Sequence, residues 1–455
     1  MAGIGFELRK LLRRDSYFGL LRAYGYAGVI SSGPWILSIV GVLAIGLFSA
    51  TRVVPDTLVV QFLVTVTWIM AGSLILTGLL QLLFTRYIAD RLFEKRDRVV
   101  LPNLMGALTL VTLVAGGLGA LLLHVAFDAS ALYEFATLGS FVVLCNIWIL
   151  VIFLSGMKAY RLILGVFLLG YGVTVGAAMA LTALKLEGLM LGFFIGQSVL
   201  LFATLALVVR HYPGEDFVAY DFLRRSQAHY SLAITGLLYN SGIWADKFMF
   251  WMNPATSDAV IGPLRASVIY DIPIFLAYLS IIPGMAVFLV RMETDFAEIY
   301  DRFYRSVREG DTLDHILGYK RQMVLTIRQG VFEIFKVQGL TIVVLLMAGP
   351  ALLDALGISH LYLPLFNVDL IGVGIQVLLL AILNVLFYLD LLGFALFLCL
   401  IFLTANLGFT WITLQLGPQF YGFGFAAAVT LAALVGLAIL SRQLRRLEYE
   451  TFMLQ

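Results

Sequence analysis

Residues 135–157 read FATLGSFVVLCNIWILVIFLSGM, and 162–183 read LILGVFLLGYGVTVGAAMALTA; neither run holds an acidic or basic side chain. About 20 mostly apolar residues, at 1.5 Å of rise each, cross the hydrocarbon core of a bilayer. Each run is therefore a membrane-spanning helix, and Lys158-Ala159-Tyr160-Arg161 is the turn between two of them. The same pattern extends along the chain in both directions. Spans are predicted over 24–49, 58–84 and 101–123 before this pair, and 188–209 after it. Past a polar gap come 229–252, 266–290, 331–352, 367–386, 391–415 and 423–440. Twelve spans in 455 residues, with 61% hydrophobic and 13% charged side chains, leave no length for a soluble domain.

An even number of spans returns both ends to one side, and the basic residues say which. Arg9, Lys10, Arg13 and Arg14 precede the first span, Arg91, Lys95, Arg96 and Arg98 follow the second, and Arg302, Arg305 and Arg308 follow the eighth. The opposite loops hold only Arg52, Lys185 and Arg265. The excess of Lys and Arg on cytoplasmic loops then predicts both termini in the cytoplasm. The net charge of +2 carries none of this information; its distribution does.

The expected organisation is a basic, amphipathic segment over 1–23, a six-helix bundle over 24–209 and a cytoplasmic linker over 210–228. A second six-helix bundle follows over 229–440, interrupted by a cytoplasmic loop at 291–330, and 441–455 is a cytoplasmic tail. Segment 1–23 reads equally as an interfacial helix or as a basic flank that sets topology. Loop 291–330 repeats Ile299, Phe303 and Val307 among charges, the pattern of an amphipathic helix serving as connector or docking surface. A weak echo links the halves: Ser32-Gly33-Pro34-Trp35 with Ser241-Gly242-Ile243-Trp244, and Arg86…Asp90 with Arg291…Asp295. A parallel repeat of two bundles would produce it.

Several chemistries are unsupported by motif. No phosphate loop, no H-E-x-x-H and no G-x-S-x-G occurs. The predicted outer loops are short, without room for a catalytic platform. Cys145 and Cys399 lie in apolar runs as small hydrophobes, and the five histidines lack ligand spacing. The expectation is no enzyme, no metal and no cofactor.

Charge within the spans is the sharper signal. Asp246 and Lys247 fall in the seventh span and Asp271 in the eighth. A charge at the centre of a span costs about 2.5–3.5 kcal/mol, so such residues face a cavity or a partner. Consecutive helical residues point about 100° apart, which predicts that Lys247 meets Asp271 while Asp246 faces a cavity. Asn240, Trp244, Lys247 and Trp251 share one helical face, a polar–aromatic stripe suited to sugar rings and hydroxyls. The competing reading has Lys247 snorkelling to the interface and Trp251 in the aromatic belt. Ser32, Gly33 and Pro34 mark a possible break in the first helix, since Pro removes a backbone hydrogen bond. Gly165, Gly170, Gly172 and Gly176 read as close-packing positions in the fifth span, and Asn146 and Gln197 as bonds between helices.

Met1-Ala-Gly-Ile-Gly-Phe-Glu-Leu-Arg-Lys-Leu-Leu12 and Gly25-Tyr-Ala-Gly-Val-Ile-Ser-Ser-Gly-Pro-Trp35 resemble the opening of the PelG family, inner-membrane transporters of the Pel exopolysaccharide system. The resemblance implies an all-α, MOP/MATE-like exporter of about 12 transmembrane helices in two six-helix bundles. It also implies a bacterial inner-membrane location, an N-acetylhexosamine-rich polysaccharide substrate, a cytoplasmic glycosyltransferase as partner, and a membrane partner that senses cyclic-di-GMP. No nucleic acid is expected. Two other functions stay open at this stage: an ion-coupled flippase or antiporter for lipid-linked oligosaccharides or small molecules, and a scaffold anchoring the synthase.

Overall fold

The computed structural model describes residues 38–49, 53–156, 160–214, 216–224 and 229–453. Segment 1–23 and the expected break at Ser32, Gly33 and Pro34 lie outside them.

Apolar residues all round a helix leave it no aqueous face, and lipid offers the backbone no partner, so each run closes its own hydrogen bonds. The first half contains α1 (Ser38–Ser49), α2 (Thr57–Phe93), α3 (Val100–Ala126), α4 (Ala131–Gly156), α5 (Tyr160–Ala180) and α6 (Lys185–His211). After the linker comes α7 (Tyr230–Met252), then a hairpin of β1 (Asp258–Ile261) and β2 (Leu264–Ala266). The rest consists of α8 (Val268–Leu279), α9 (Ile282–Val290), α10 (Ala297–Glu309), α11 (Leu313–Ala355), α12 (Leu363–Tyr388), α13 (Leu392–Leu416) and α14 (Phe423–Met453). Among the described residues ten helices are long and apolar enough to cross a membrane. Helix α1 is the described part of the first span, and α7 falls outside the ten because Asn240, Asp246 and Lys247 dilute its apolar residues. These helices stand at the twelve expected places.

The described residues form two compact units. The first runs from α1 to Trp244 and takes in Trp251–Ser267; the second holds Ala245–Phe250 and the chain from Val268 onward. In the first unit α6 packs along α4 and α5. A Cβ on Gly192 would stand 2.4 Å from the backbone N and Cα of Ala178, so only glycine allows this approach. In the second unit α14 packs along α12 and α13, and a Cβ on Gly424 would stand 2.6 Å from the backbone N and Cα of Thr410. The pairs have the same sequence separation, so one helical hairpin is built twice. Small residues that let backbones approach are the usual means of joining helices in lipid. The Arg–Asp echo has a structural counterpart too: Arg86 Nε lies 3.0 Å from Asp90, and Arg291 NH1 lies 2.6 Å from Asp295.

The glycines of the fifth span divide differently from expectation. Gly170 meets Leu200, where a Cβ would stand 2.8 Å away, whereas a Cβ on Gly165, Gly172 or Gly176 would have nothing within 4 Å among the described residues. Asn146 donates to Thr112 at 2.9 Å and Gln197 to Thr174 at 3.4 Å, each joining two helices as expected.

A break falls in the eighth span. Pro283 has no N–H to continue the ladder, and the chain passes from α8 to α9 through Ser280 and Ile281 in tight i to i+3 turns. Gln338 of α11 donates to the Ser280 carbonyl at 3.2 Å, meeting an acceptor that the break leaves behind. Beyond α9 a π-helical turn, Arg291–Phe296, leads into α10, which ends at Gly310 in the left-handed conformation (φ +72°). Residues 291–330 are thus extensions of two helices, as the amphipathic pattern implied. Just past α10, Asp311 accepts from the Thr312 N–H at 2.8 Å and pairs with His315 at 3.0 Å, and these hold its carboxyl below the usual range.

One element departs from the all-α expectation. The loop after α7 is an antiparallel hairpin that packs Leu264 and Ala266 against Val64 and Trp68. Trp68 Nε1 donates to the Arg265 carbonyl at 2.8 Å, and Gln61 to that of Val260 at 3.1 Å.

Candidate functional site

Helix α7 carries the polar residues that its hydropathy could least afford. Asp246 is 0% exposed and Lys247 1% exposed. Burial of this kind needs partners, and they come from α8, α13 and α14. Tyr270 donates its hydroxyl to Asp246 Oδ2 at 2.6 Å, and Asn406 Nδ2 donates to Oδ1 at 3.1 Å. Asn406 is itself held by Thr410, whose hydroxyl donates to its amide oxygen at 3.1 Å. The Lys247 ammonium lies 3.0 Å from Asp246 Oδ2 and 3.3 Å from Oδ1. It also reaches the Tyr278 hydroxyl at 3.3 Å, and stands over the Tyr278 and Phe425 rings at 5.0 and 4.9 Å. Phe250, one turn along from Asp246, stacks on Tyr270 with ring centroids 3.8 Å apart. Tyr270 and Tyr278 come from α8, which leads into the break at Ser280.

The expectation that Asp246 faces a cavity is overturned here. Lys247 pairs with its chain neighbour Asp246, and Asp246 is enclosed by donors. The angle between consecutive side chains is an argument about Cβ directions. A lysine has four carbons beyond its Cα, enough to fold the ammonium back across that angle. Asp271 stays half-buried, and its neighbour Tyr270 supplies the contact to α7. Snorkelling fails for the same residue, because Tyr278 and Phe425 close over the ammonium.

Asp369 of α12 is a further buried carboxylate of the same unit, and sequence reasoning missed it. It is 0% exposed, and among the described residues neither carboxylate oxygen has a hydrogen-bond partner. The rule that singled out Asp246 and Asp271, a carboxylate within an apolar run, applies equally to Asp369 in 367–386.

The aromatic half of the predicted stripe lies in the first unit. Trp251 is 1% exposed, its ring 4.9 Å from that of Trp68 and 6.0 Å from that of Trp244. Trp251 is therefore packed between two other indoles and closed to solvent. Trp244 and Asn240 are half-buried. Asn240 lies beside the contact of Gly78 with Gly236, where the backbones of α2 and α7 meet. The structure thus gathers the three tryptophans together and takes Lys247 into the Asp246 cluster. Among the described residues no group of His, Cys, Asp and Glu is arranged to hold a metal ion.

A family model for PelG, described as "Putative exopolysaccharide Exporter (EPS-E)", matches residues 1–452. No curated protein matches the chain in sequence. Solved structures share its fold at low identity. An outward-facing multidrug resistance MATE family transporter of the MOP superfamily is 14% identical, with a TM-score of 0.66 and 99% of each chain covered. A MOP superfamily transporter from Pyrococcus furiosus is 12% identical, with a TM-score of 0.64 and 93% of this chain and 96% of that one covered. The Vibrio cholerae MATE transporter VcmN in its bent form is 13% identical, with a TM-score of 0.62 and 98% of each covered.

Proposed function

This chain belongs to the PelG family of exopolysaccharide exporters, and from that premise we propose that it carries a Pel-like, N-acetylhexosamine-rich polymer across the bacterial inner membrane. The polymer would arrive from a cytoplasmic glycosyltransferase and leave in the periplasm as biofilm matrix, with a cyclic-di-GMP-sensing membrane protein among the partners. The observation that carries this reading is the family match over residues 1–452, joined to a MATE-like membrane fold. The chemistry of the half-buried Trp244 and Asn240 is consistent with it. An indole face stacks on the apolar face of a sugar, and an amide bonds hydroxyl and acetamido groups. Such contacts are individually weak, which a sliding polymer requires.

Reconstitution of the full chain with its synthase in sealed vesicles tests the proposal. Newly made polymer should collect in the lumen, protected from an added glycosidase, only when the chain is present. Polymer that remains wholly accessible outside would refute transport and leave the scaffold reading. Lumenal polymer that appears only under an imposed ion gradient would instead favour the antiporter.

A further inference from the structure

The surroundings of Lys247 are those of a cation-binding cage. Its ammonium has both oxygens of Asp246 and the Tyr278 hydroxyl within hydrogen-bond distance, and the Tyr278 and Phe425 rings beneath it. A carboxylate, a phenol and two ring faces attract an ammonium both by charge and through the ring quadrupoles. The cage walls are closed: Phe425 and Asp246 are 0% exposed. Asp246 is further fixed by Tyr270 and Asn406, so its oxygens are held in place for the cation. Among the described residues, the positive charge in the cage belongs to the residue next in the chain.

We propose that Lys247 is a resident counter-ion, its ammonium filling on a tether a monovalent-cation site formed by Asp246, Tyr278 and Phe425. The ligand class of that site is a primary ammonium. In the native protein the site is self-filled and accepts no free alkali cation. A sodium ion could enter only by expelling Lys247, leaving a desolvated ammonium without its carboxylate, and breaking a buried pair in this way is strongly unfavourable. Asp246 is accordingly a structural anion and not the point at which a sodium gradient enters the transport cycle. This holds for any cargo, so it stands apart from the polysaccharide reading.

The test uses the purified full-length protein in lipid nanodiscs. Lys247→Ala removes the stem and charge beyond Cβ, leaving a space matched by n-propylammonium. The variant should melt below wild type and recover, saturably, with n-propylammonium, since a ligand that binds only the folded state stabilises it by mass action. Tetramethylammonium at equal ionic strength should be at least about tenfold less effective, equivalent to about 1.4 kcal/mol. Adding Asp246→Asn should abolish the recovery. Wild type should show no saturable binding of radiolabelled sodium that Asp246→Asn removes. Lys247→Met fills the space without charge and should not respond to n-propylammonium. Sodium binding to wild type that depends on Asp246 would overturn the proposal, and this arm decides it even where Lys247→Ala does not fold. Recovery of Lys247→Ala that is equal for the two amines, or absent in folded protein, would overturn it as well.

Discussion

Tyr270 donates its hydroxyl to Asp246 at 2.6 Å while its ring stacks on Phe250, the residue one helical turn beyond that aspartate. One side chain from the eighth span thus grips the seventh twice, by charge and by ring. Tyr270→Phe keeps the stack and loses only the donor to a buried carboxylate. A hydrogen bond to a charged group contributes about 1.5–3 kcal/mol, and the variant should lose that amount. Asp246→Asn should cost more, about 3–5 kcal/mol, because it leaves Lys247 without its counter-charge. Thermal melts of the two single variants and the double variant check this. The double variant should be less destabilised than the sum of the singles, since both changes act on the same bond.

The two helical hairpins make a sharper prediction about glycine. At Gly192 and Gly424 an added Cβ would run into backbone, which cannot rotate away as a side chain can. Gly192→Val and Gly424→Val should each abolish well-folded protein, seen as loss of the monodisperse peak in size-exclusion chromatography. Gly165→Ala and Gly176→Ala meet nothing among the described residues and should be neutral or stabilise slightly, since alanine is the better helix former by about 1 kcal/mol. Equal damage at all four positions would show that helix packing does not distinguish them.

Arg291 forks across to Glu333 of α11, with Nε at 2.6 Å from one oxygen and NH2 at 2.7 Å from the other, and its NH1 holds Asp295. These groups are about 30% exposed, so solvent weakens the pair despite its bidentate form. Glu333→Ala should cost about 1 kcal/mol at low salt and less at high salt. The charge swap Arg291→Glu with Glu333→Arg should recover part of the loss, although Asp295 will repel a carboxylate placed at position 291. A melt series in low and high salt measures both effects.

Much of the fold was legible because a membrane helix is a statement about composition. Every described run of apolar residues long enough to cross became a helix at the expected place, including the seventh, which is the least apolar. What composition does not encode is the interior of a span. The break at Ser280 depends on Pro283 and on Gln338 lying opposite to take up the freed carbonyl, and the second condition is a tertiary fact. The hairpin at 258–266 is stabilised by Trp68 and Gln61, nearly two hundred residues away, so no local pattern announced it. At the site, Asp246 and Lys247 were visible as charges in an apolar run. Their pairing was not, because the reach of the lysine stem outweighs the direction of its Cβ. Tyr270, Tyr278 and Asn406 look like ordinary polar or aromatic residues until the fold brings them to one buried ion pair.

The three tryptophans separate a packing role from a transport role. Trp251 is enclosed between Trp68 and Trp244, so Trp251→Ala leaves a cavity of most of an indole and should cost about 3–5 kcal/mol. Its effect on export should follow the fall in the amount of protein in the membrane. Trp244 is only half-buried, and Trp244→Ala should leave that amount near wild type while lowering export several-fold if its exposed indole face serves the polymer. Trp244→Phe retains a ring and should lie between the two. Polymer released per unit of transporter, from immunoblots and matched assays of secreted polysaccharide, distinguishes the cases. Wild-type export per molecule in Trp244→Ala would remove this residue from the path, because a stacking surface cannot be deleted without weakening what stacks on it.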